Sequence, residues 1–238
     1  MLLKKLFLNL VFPEICVSCR KEGSHLCQDC ISTIDIASAS AHIPANSSLN
    51  GLFCAASYEN RVIRQAIHAF KYSPFLKGMA LPLFTIIISH LNFANKPSFL
   101  VKIWKTAAQD PSDSPTFSFT TQDVLCCPIP LHKRRLKWRG YNQSEELARY
   151  LAAFLHIPLE NRVLIRKKYT QPQINLEKEA RLRNMEEAFD VVHSEEIENK
   201  IILLIDDVYT TGSTLENAAK ALKQAGANQV WGITVARG

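Results

Sequence analysis

Three groups of residues in this sequence could do chemistry. The most informative lies within residues 201–214, IILLIDDVYTTGST. Adjacent carboxylates, Asp206 and Asp207, are followed closely by Thr210, Thr211, Gly212, Ser213 and Thr214. The carboxylates suit hydrogen bonds from sugar hydroxyls or a place beside a magnesium ion. A turn of hydroxyls and glycine that opens a helix offers free backbone N–H groups and the positive end of the helix dipole, which together form an anion site. Gly212 lets the backbone approach a bound group closely. A ligand with phosphate at one end and ribose at the other matches this order of groups.

The flanking elements position those residues. Ile201 to Ile205 is a short apolar run, as expected for a strand buried on both faces of a parallel sheet. LENAAKALKQAG follows the turn. It predicts a helix with Leu215, Ala218, Ala219 and Leu222 on one face and Gly226 as its stop. The three spaced glycines of the dinucleotide fingerprint and the Gly-Lys-Ser/Thr of the Walker loop are both missing from this turn. An ordinary strand-turn-helix with a polar surface is the alternative reading.

The second group is LHKRRLKWRGYNQ, residues 131–143, which follows the predicted strand DVLCCPIP (123–130). It holds Arg134, Arg135 and Arg139 with Lys133 and Lys137, then Gly140, Asn142 and Gln143, interleaved with Trp138 and Tyr141. A cationic loop at the carboxyl end of a parallel strand faces the ligand crevice, where arginine can clamp a pyrophosphate. Aromatics among cations also suit single-stranded nucleic acid, whose bases stack while its phosphates pair. A solvated basic turn is the plain alternative. Asn142 is a suitable N-cap for a helix over SEELARYLAAFL.

The third group is Cys16, Cys19, Cys27 and Cys30, spaced C-x2-C-x7-C-x2-C. Two such pairs can close a tetrahedral structural zinc site, in a module too small to fold without it. His25 is a substitute ligand. Two disulfides or free thiols are the alternatives. Cys126 and Cys127 read as strand packing.

Composition fits one moderate globular domain with an appendage: 238 residues, 47% hydrophobic and 21% charged. The net charge of +6 permits anionic ligands without specifying nucleic acid. Seven cysteines, an odd number, argue against a fully disulfide-bonded secreted protein and for the reducing cytoplasm. No apolar run is long enough to span a membrane. The first residues, MLLKKLFLNLVF, make a poor signal peptide, because Asn9 interrupts the run and no small-residue cleavage site follows. Leu2, Leu3, Leu6, Phe7, Leu10 and Val11 instead share one face of an amphipathic helix that packs on the protein or touches a membrane surface. The expected organisation is this helix and the four-cysteine module over 1–31, a Ser/Ala/Asn-rich linker over 32–50, and an α/β domain over 51–238 with a loop insertion at 94–122. Within that domain, strands are expected at 51–58, 123–130, 158–166, 188–192 and 229–236, and helices at 59–72, 76–93 and 177–185. Strands alternating with helices from 123 onward predict a parallel sheet.

The 201–214 stretch resembles the phosphoribosyl-pyrophosphate (PRPP) motif of type I phosphoribosyltransferases: apolar strand, Asp-Asp, short spacer, Thr-Thr-Gly, small residue, Thr. Tyr209 and Ser213 replace a commoner aliphatic residue and alanine. PIPLHKRRLKWRGYNQSEELA resembles the signature of the ComF family of competence proteins, and other elements of that family follow in order. They are the four cysteines, Tyr58 before a helix ending in Lys71-Tyr72, Thr170 with Gln173, then Leu176, Arg181, Asn184 and Phe189. The resemblance implies a type I phosphoribosyltransferase fold with a central parallel sheet and a small hood, beside an N-terminal zinc module. It also implies binding of PRPP or ribose phosphate with magnesium, and a role in DNA uptake beside a competence helicase. Asp206 and Asp207 would be the catalytic pair, and Thr210 to Thr214 would surround the 5′-phosphate. The alternative is a non-catalytic module for single-stranded DNA that keeps a ribose-phosphate site. No glutaminase segment accompanies the motif, which argues against amide transfer from glutamine.

Overall fold

The computed structural model of the chain describes residues 13–107, 121–167 and 188–238. The strands are β1 (Gly51–Ser57), β2 (Val124–Pro128), β3 (Leu164–Arg166), β4 (Phe189–Val191), β5 (Ile201–Tyr209) and β6 (Gln229–Arg237). The α-helices are α1 (Gln28–Ile31), α2 (Arg61–Lys71), α3 (Ala80–Phe93), α4 (Ser98–Ala107), α5 (Lys133–Arg139), α6 (Gln143–Leu155) and α7 (Ser213–Gln224). Four strands form a parallel sheet in the order β1-β6-β5-β2. β5 lies inside it, with Leu203 opposite Cys126 on one side and Trp231 on the other.

The apolar run of β5 is continuous because both of its faces are covered. Ile201, Leu203 and Ile205 pack in one core with Ile63, Ile67 and Phe70 of α2, Leu83 and Ile87 of α3, and Leu147 and Leu151 of α6. Ile202 and Leu204 point the other way, into a second core with Leu215, Ala218 and Leu222 of α7. Cutting back a wholly buried residue such as Leu203 to alanine costs about 2–5 kcal/mol. Cys126 and Cys127 divide between the two cores as packing residues. The helix starts follow their caps. Asn60 Oδ1 accepts from the N–H groups of Val62 and Ile63, and Asn142 accepts from that of Ser144.

Several expectations change. The segment read as a loop insertion carries α4, whose Phe99, Leu100 and Ile103 are buried in the first core; residues 108–120 lie outside the described residues. Helical apolar spacing was present in SFLVKIWKTA, but the polar stretch after it dominated the composition. The basic stretch after β2 is the short helix α5 rather than a loop, closed by Gly140 at φ 83°. β3 and β4 pair antiparallel with each other in a separate sheet, so alternation from 123 onward does not mean one parallel sheet throughout. The expected helices over 1–12 and 177–185 fall outside the described residues.

The 32–50 stretch is fastened rather than loose. Ile36 and Ala41 bridge antiparallel to Ala56 and Leu52, covering the free edge of β1. The His90 ring bonds the Ala37 carbonyl through Nδ1 at 2.6 Å. Glu216 of α7 accepts from Ser47 Oγ and the Ser48 N–H, each at 2.6 Å. The cysteine module shares the first core: Cys16, Leu26, Cys27 and Cys30 pack in one cluster with Phe53 and Ile63. Among the described residues no helix is long and apolar enough to cross a membrane.

Candidate functional site

Asp206 and Asp207 lie inside β5, not after it; the strand runs on to Tyr209. Both are buried, near the carboxyl end of a strand that has neighbours on each side. Asp206 Oδ1 accepts from Ser144 Oγ and from the Asp207 N–H, both at 2.9 Å. Burial, and then the adjacent Asp207 charge, pushes its pKa up to about 7. Asp207 Oδ1 pairs with Lys71 Nζ at 2.8 Å, while its Oδ2 is buried without a hydrogen-bond partner. Burial alone would lower the pKa of Lys71, but the charges of Asp207 and Asp206 outweigh it and the net shift is upward. Lys71 and Ser144 were not read as site residues from sequence. The sequence signs of Lys71 were its place in the family resemblance and at the end of an amphipathic helix.

Beyond β5 the chain turns into α7. Gly212 has φ 78°, and a Cβ there would run into the Tyr209 hydroxyl. The turn needs glycine for its positive φ, and a side chain there would also have to displace the Tyr209 ring. Thr211 Oγ1 and Ser213 Oγ share a hydrogen bond of 2.9 Å. Thr210 and Thr211 are exposed, and Ser213 and Thr214 half-buried. The first turn of α7 presents its N–H groups beside these hydroxyls, as an anion site requires. The Arg237 guanidinium stacks over the Tyr209 ring, 5.6 Å from its centre.

The basic stretch splits by burial. Arg134 is exposed and Arg135 half-buried, whereas Arg139 is buried and bonds Gln143 Oε1. Arg139 Nε is buried without a partner. Burial lowers the Arg139 pKa, opposed by the nearby Asp207 charge. Asn142 donates to the Ile129 carbonyl at 3.0 Å, which fixes the chain between β2 and α6. Trp138 is 61% exposed and meets Phe75 edge-to-face. So Arg139, Asn142 and Gln143 line the interior beside the acidic pair, and Arg134, Lys137 and Trp138 face outward.

The four module cysteines converge, with Sγ atoms all within 4.8 Å of one another. Cys16 and Cys30 are 3.7 Å apart, and Cys19 and Cys27 3.5 Å. Zinc–sulfur bonds of about 2.3 Å place tetrahedral sulfurs about 3.8 Å apart, so the cluster fits a zinc ion. Burial would push the Cys16 thiol up, but backbone N–H groups of Cys19, Cys27 and Ser18 bring it down to about 6. Burial and the neighbouring sulfurs push Cys30 up to about 12. Four thiols this close ionise together only when a cation shares their charge. The fit for magnesium at the acidic pair is narrower. Asp206 Oδ1 is engaged by Ser144 and Asp207 Oδ1 by Lys71, so the donor set suits an ion held mainly by ligand oxygens and water.

The phosphoribosyl transferase domain family matches residues 138–238, from the end of α5 through β6. Competence protein F of Haemophilus influenzae is 39% identical over 109 residues, covering 44% of this chain and 48% of the relative. Competence protein ComFC of Bacillus subtilis is 36% identical over 118 residues, covering 48% and 45%. The matched part of the chain is similar to the ComF-type competence proteins. DNA utilization protein YhgH of Escherichia coli K12 is 35% identical over 105 residues, covering 43% and 45%. The chain spans about half the length of the curated relatives it matches. Among solved structures, the glutamine PRPP amidotransferase of B. subtilis in complex with ADP and GMP is 21% identical, covers 56% of this chain and 25% of that one, and has a TM-score of 0.33.

Proposed function

We propose that this chain binds PRPP or ribose 5-phosphate at 206–214 and serves DNA uptake in natural transformation. The observation that carries the reading is the pair of buried carboxylates set directly before a glycine-hydroxyl turn at a helix N-terminus. In this reading Asp206 and Asp207 accept hydrogen bonds from the ribose hydroxyls, and Thr210, Thr211, Gly212, Ser213 and Thr214 surround the 5′-phosphate. Arg139, a buried cation that feels the Asp207 charge, is the candidate for the pyrophosphate. Magnesium arriving with PRPP would neutralise charge on the departing pyrophosphate. Burial of the acid pair keeps water from competing for the sugar, and Ser144 holds Asp206 in place. A zinc ion held by Cys16, Cys19, Cys27 and Cys30 is the structural cofactor. The link to DNA uptake rests on the names of the relatives, and a helicase partner rests on the family resemblance alone. A thiolate-rich zinc site suits a reducing cytoplasm.

Isothermal titration of the zinc-loaded chain with magnesium PRPP tests the reading. Binding should weaken by on the order of 2 kcal/mol or more in Asp206→Asn/Asp207→Asn, because charge-assisted hydrogen bonds are lost. Unchanged affinity in a folded double variant refutes the assignment. A second reading, a non-catalytic module for single-stranded DNA, is favoured by the exposed Trp138 among Lys133, Arg134 and Lys137. Pyrophosphate release from PRPP, measured with and without free bases or single-stranded DNA, separates the two.

A further inference from the structure

Lys71 reaches the acidic pair from the far end of α2, an element outside the matched phosphoribosyl transferase region. Its ammonium lies 2.8 Å from Asp207 Oδ1, and the carboxylate it meets is 3% exposed. The lysine side chain itself is 24% exposed, so its stem runs inward from the surface. Asp206 spends Oδ1 on Ser144 and on the backbone. One carboxylate of the pair thus already has a full positive charge in contact, and its second oxygen, Asp207 Oδ2, is held in place without a partner.

We infer that Lys71 is the resident cation of this acidic pair, a positioning residue that takes the place of a protein-bound metal and leaves Asp207 Oδ2 for a ligand hydroxyl. The inference rests on the proposed sugar-phosphate reading and deepens it. Two adjacent carboxylates with no cation nearby would attract a divalent ion, since charge attraction is strong where water is sparse. With Lys71 in contact, a metal competes against a tethered ammonium and loses. Magnesium then enters only on the oxygens of its own ligand. Ribose 5-phosphate, which carries no pyrophosphate to chelate a metal, should bind without one. Lys71 also fixes which oxygen of Asp207 faces the sugar. A divalent ion in its place would draw both oxygens toward itself.

Manganese provides the probe, because its free and bound forms differ in electron paramagnetic resonance. The zinc-loaded full chain should bind no manganese at the pair in the absence of ligand, and its affinity for ribose 5-phosphate should be the same with or without magnesium. Lys71→Met should gain a manganese site at least roughly tenfold tighter than any in the parent. It should also make ribose 5-phosphate binding metal-dependent. Adding Asp207→Asn to Lys71→Met should abolish the gained site. Lys71→Arg, which keeps the charge, should behave as the parent in both assays and guards against a variant that fails to fold. Manganese binding to the parent at the pair, or a folded Lys71→Met with no gained site, overturns the inference. If the parent binds no sugar phosphate at all, the sugar-phosphate reading fails while the manganese comparison still decides the role of Lys71.

Discussion

Asp206→Asn should make the ligand-free protein more stable, and only at the pH values where the aspartate is unwelcome. Asp206 is buried beside Asp207, and its pKa is raised from 3.8 to about 7 by burial first and by the Asp207 charge second. The folded chain therefore keeps a proton that the unfolded chain releases. Stability is lost as pH rises from about 3.8 to about 7, and no more is lost above that window. At roughly 1.4 kcal/mol per pH unit the full loss amounts to about 4 kcal/mol. Lys71, close to the pair, already offsets part of the cost within that figure. An asparagine removes the penalty and can still accept through its carbonyl oxygen from Ser144 Oγ and the Asp207 N–H. Urea unfolding of the zinc-loaded chain and of Asp206→Asn, from about pH 4 to about pH 8, measures the difference. The two should nearly coincide at the acidic end. The variant should lead by about 2–4 kcal/mol at the alkaline end, with most of the gap opening below pH 7. A parent as stable as the variant at pH 8, or a gap independent of pH, refutes the reasoning. The same substitution should weaken PRPP binding, so the pair trades stability for a ligand.

Gly212→Ala should cost about 1–2 kcal/mol in thermal unfolding, from the positive φ and the clash with the Tyr209 hydroxyl. Arg139→Ala should weaken PRPP by about 1.5–3 kcal/mol and ribose 5-phosphate by less, a difference that paired titrations read directly. Equal losses would remove the pyrophosphate role. Metal analysis of protein purified without chelator should give about one zinc per chain. Cys16→Ser should lower the main melting transition as well as loosening the module, because Cys16 shares a core with Phe53 and Ile63.

The strand-turn-helix from β5 into α7 was legible because apolar run, paired acids, turn residues and helix face all agree within one short stretch. Asn142 as a helix cap was legible for the same reason. Other features depend on distant partners. Nothing in the run Ile201–Ile205 says that the strand continues through Asp206 and Asp207, since two buried carboxylates interrupt the apolar pattern that marks a strand. Lys71 meets Asp207 only because α2 crosses the sheet, and a lone lysine at a helix end has no local mark of that. α5 hid because KRRLKWR has too few turns for an apolar period to register. Strand direction is equally silent, so β3 and β4 read as members of the parallel sheet.

The residues that make this chain recognisable do not make a piece that could stand alone. The matched stretch, 138–238, holds β5 and β6 but neither β1 nor β2, which flank them. A fragment cut there would bare both lateral edges of its remaining parallel pair and the part of one apolar face that α2 and α3 cover. Starting instead at Gly51 restores the sheet but strips the 36–41 segment from β1, leaving its outer edge ready to pair with another chain. A truncation series should therefore turn soluble only when the cysteine module and the strap after it are kept. The shortest workable unit among the described residues begins at the module, with the four-cysteine cluster acting as the clasp of the sheet's outermost strand.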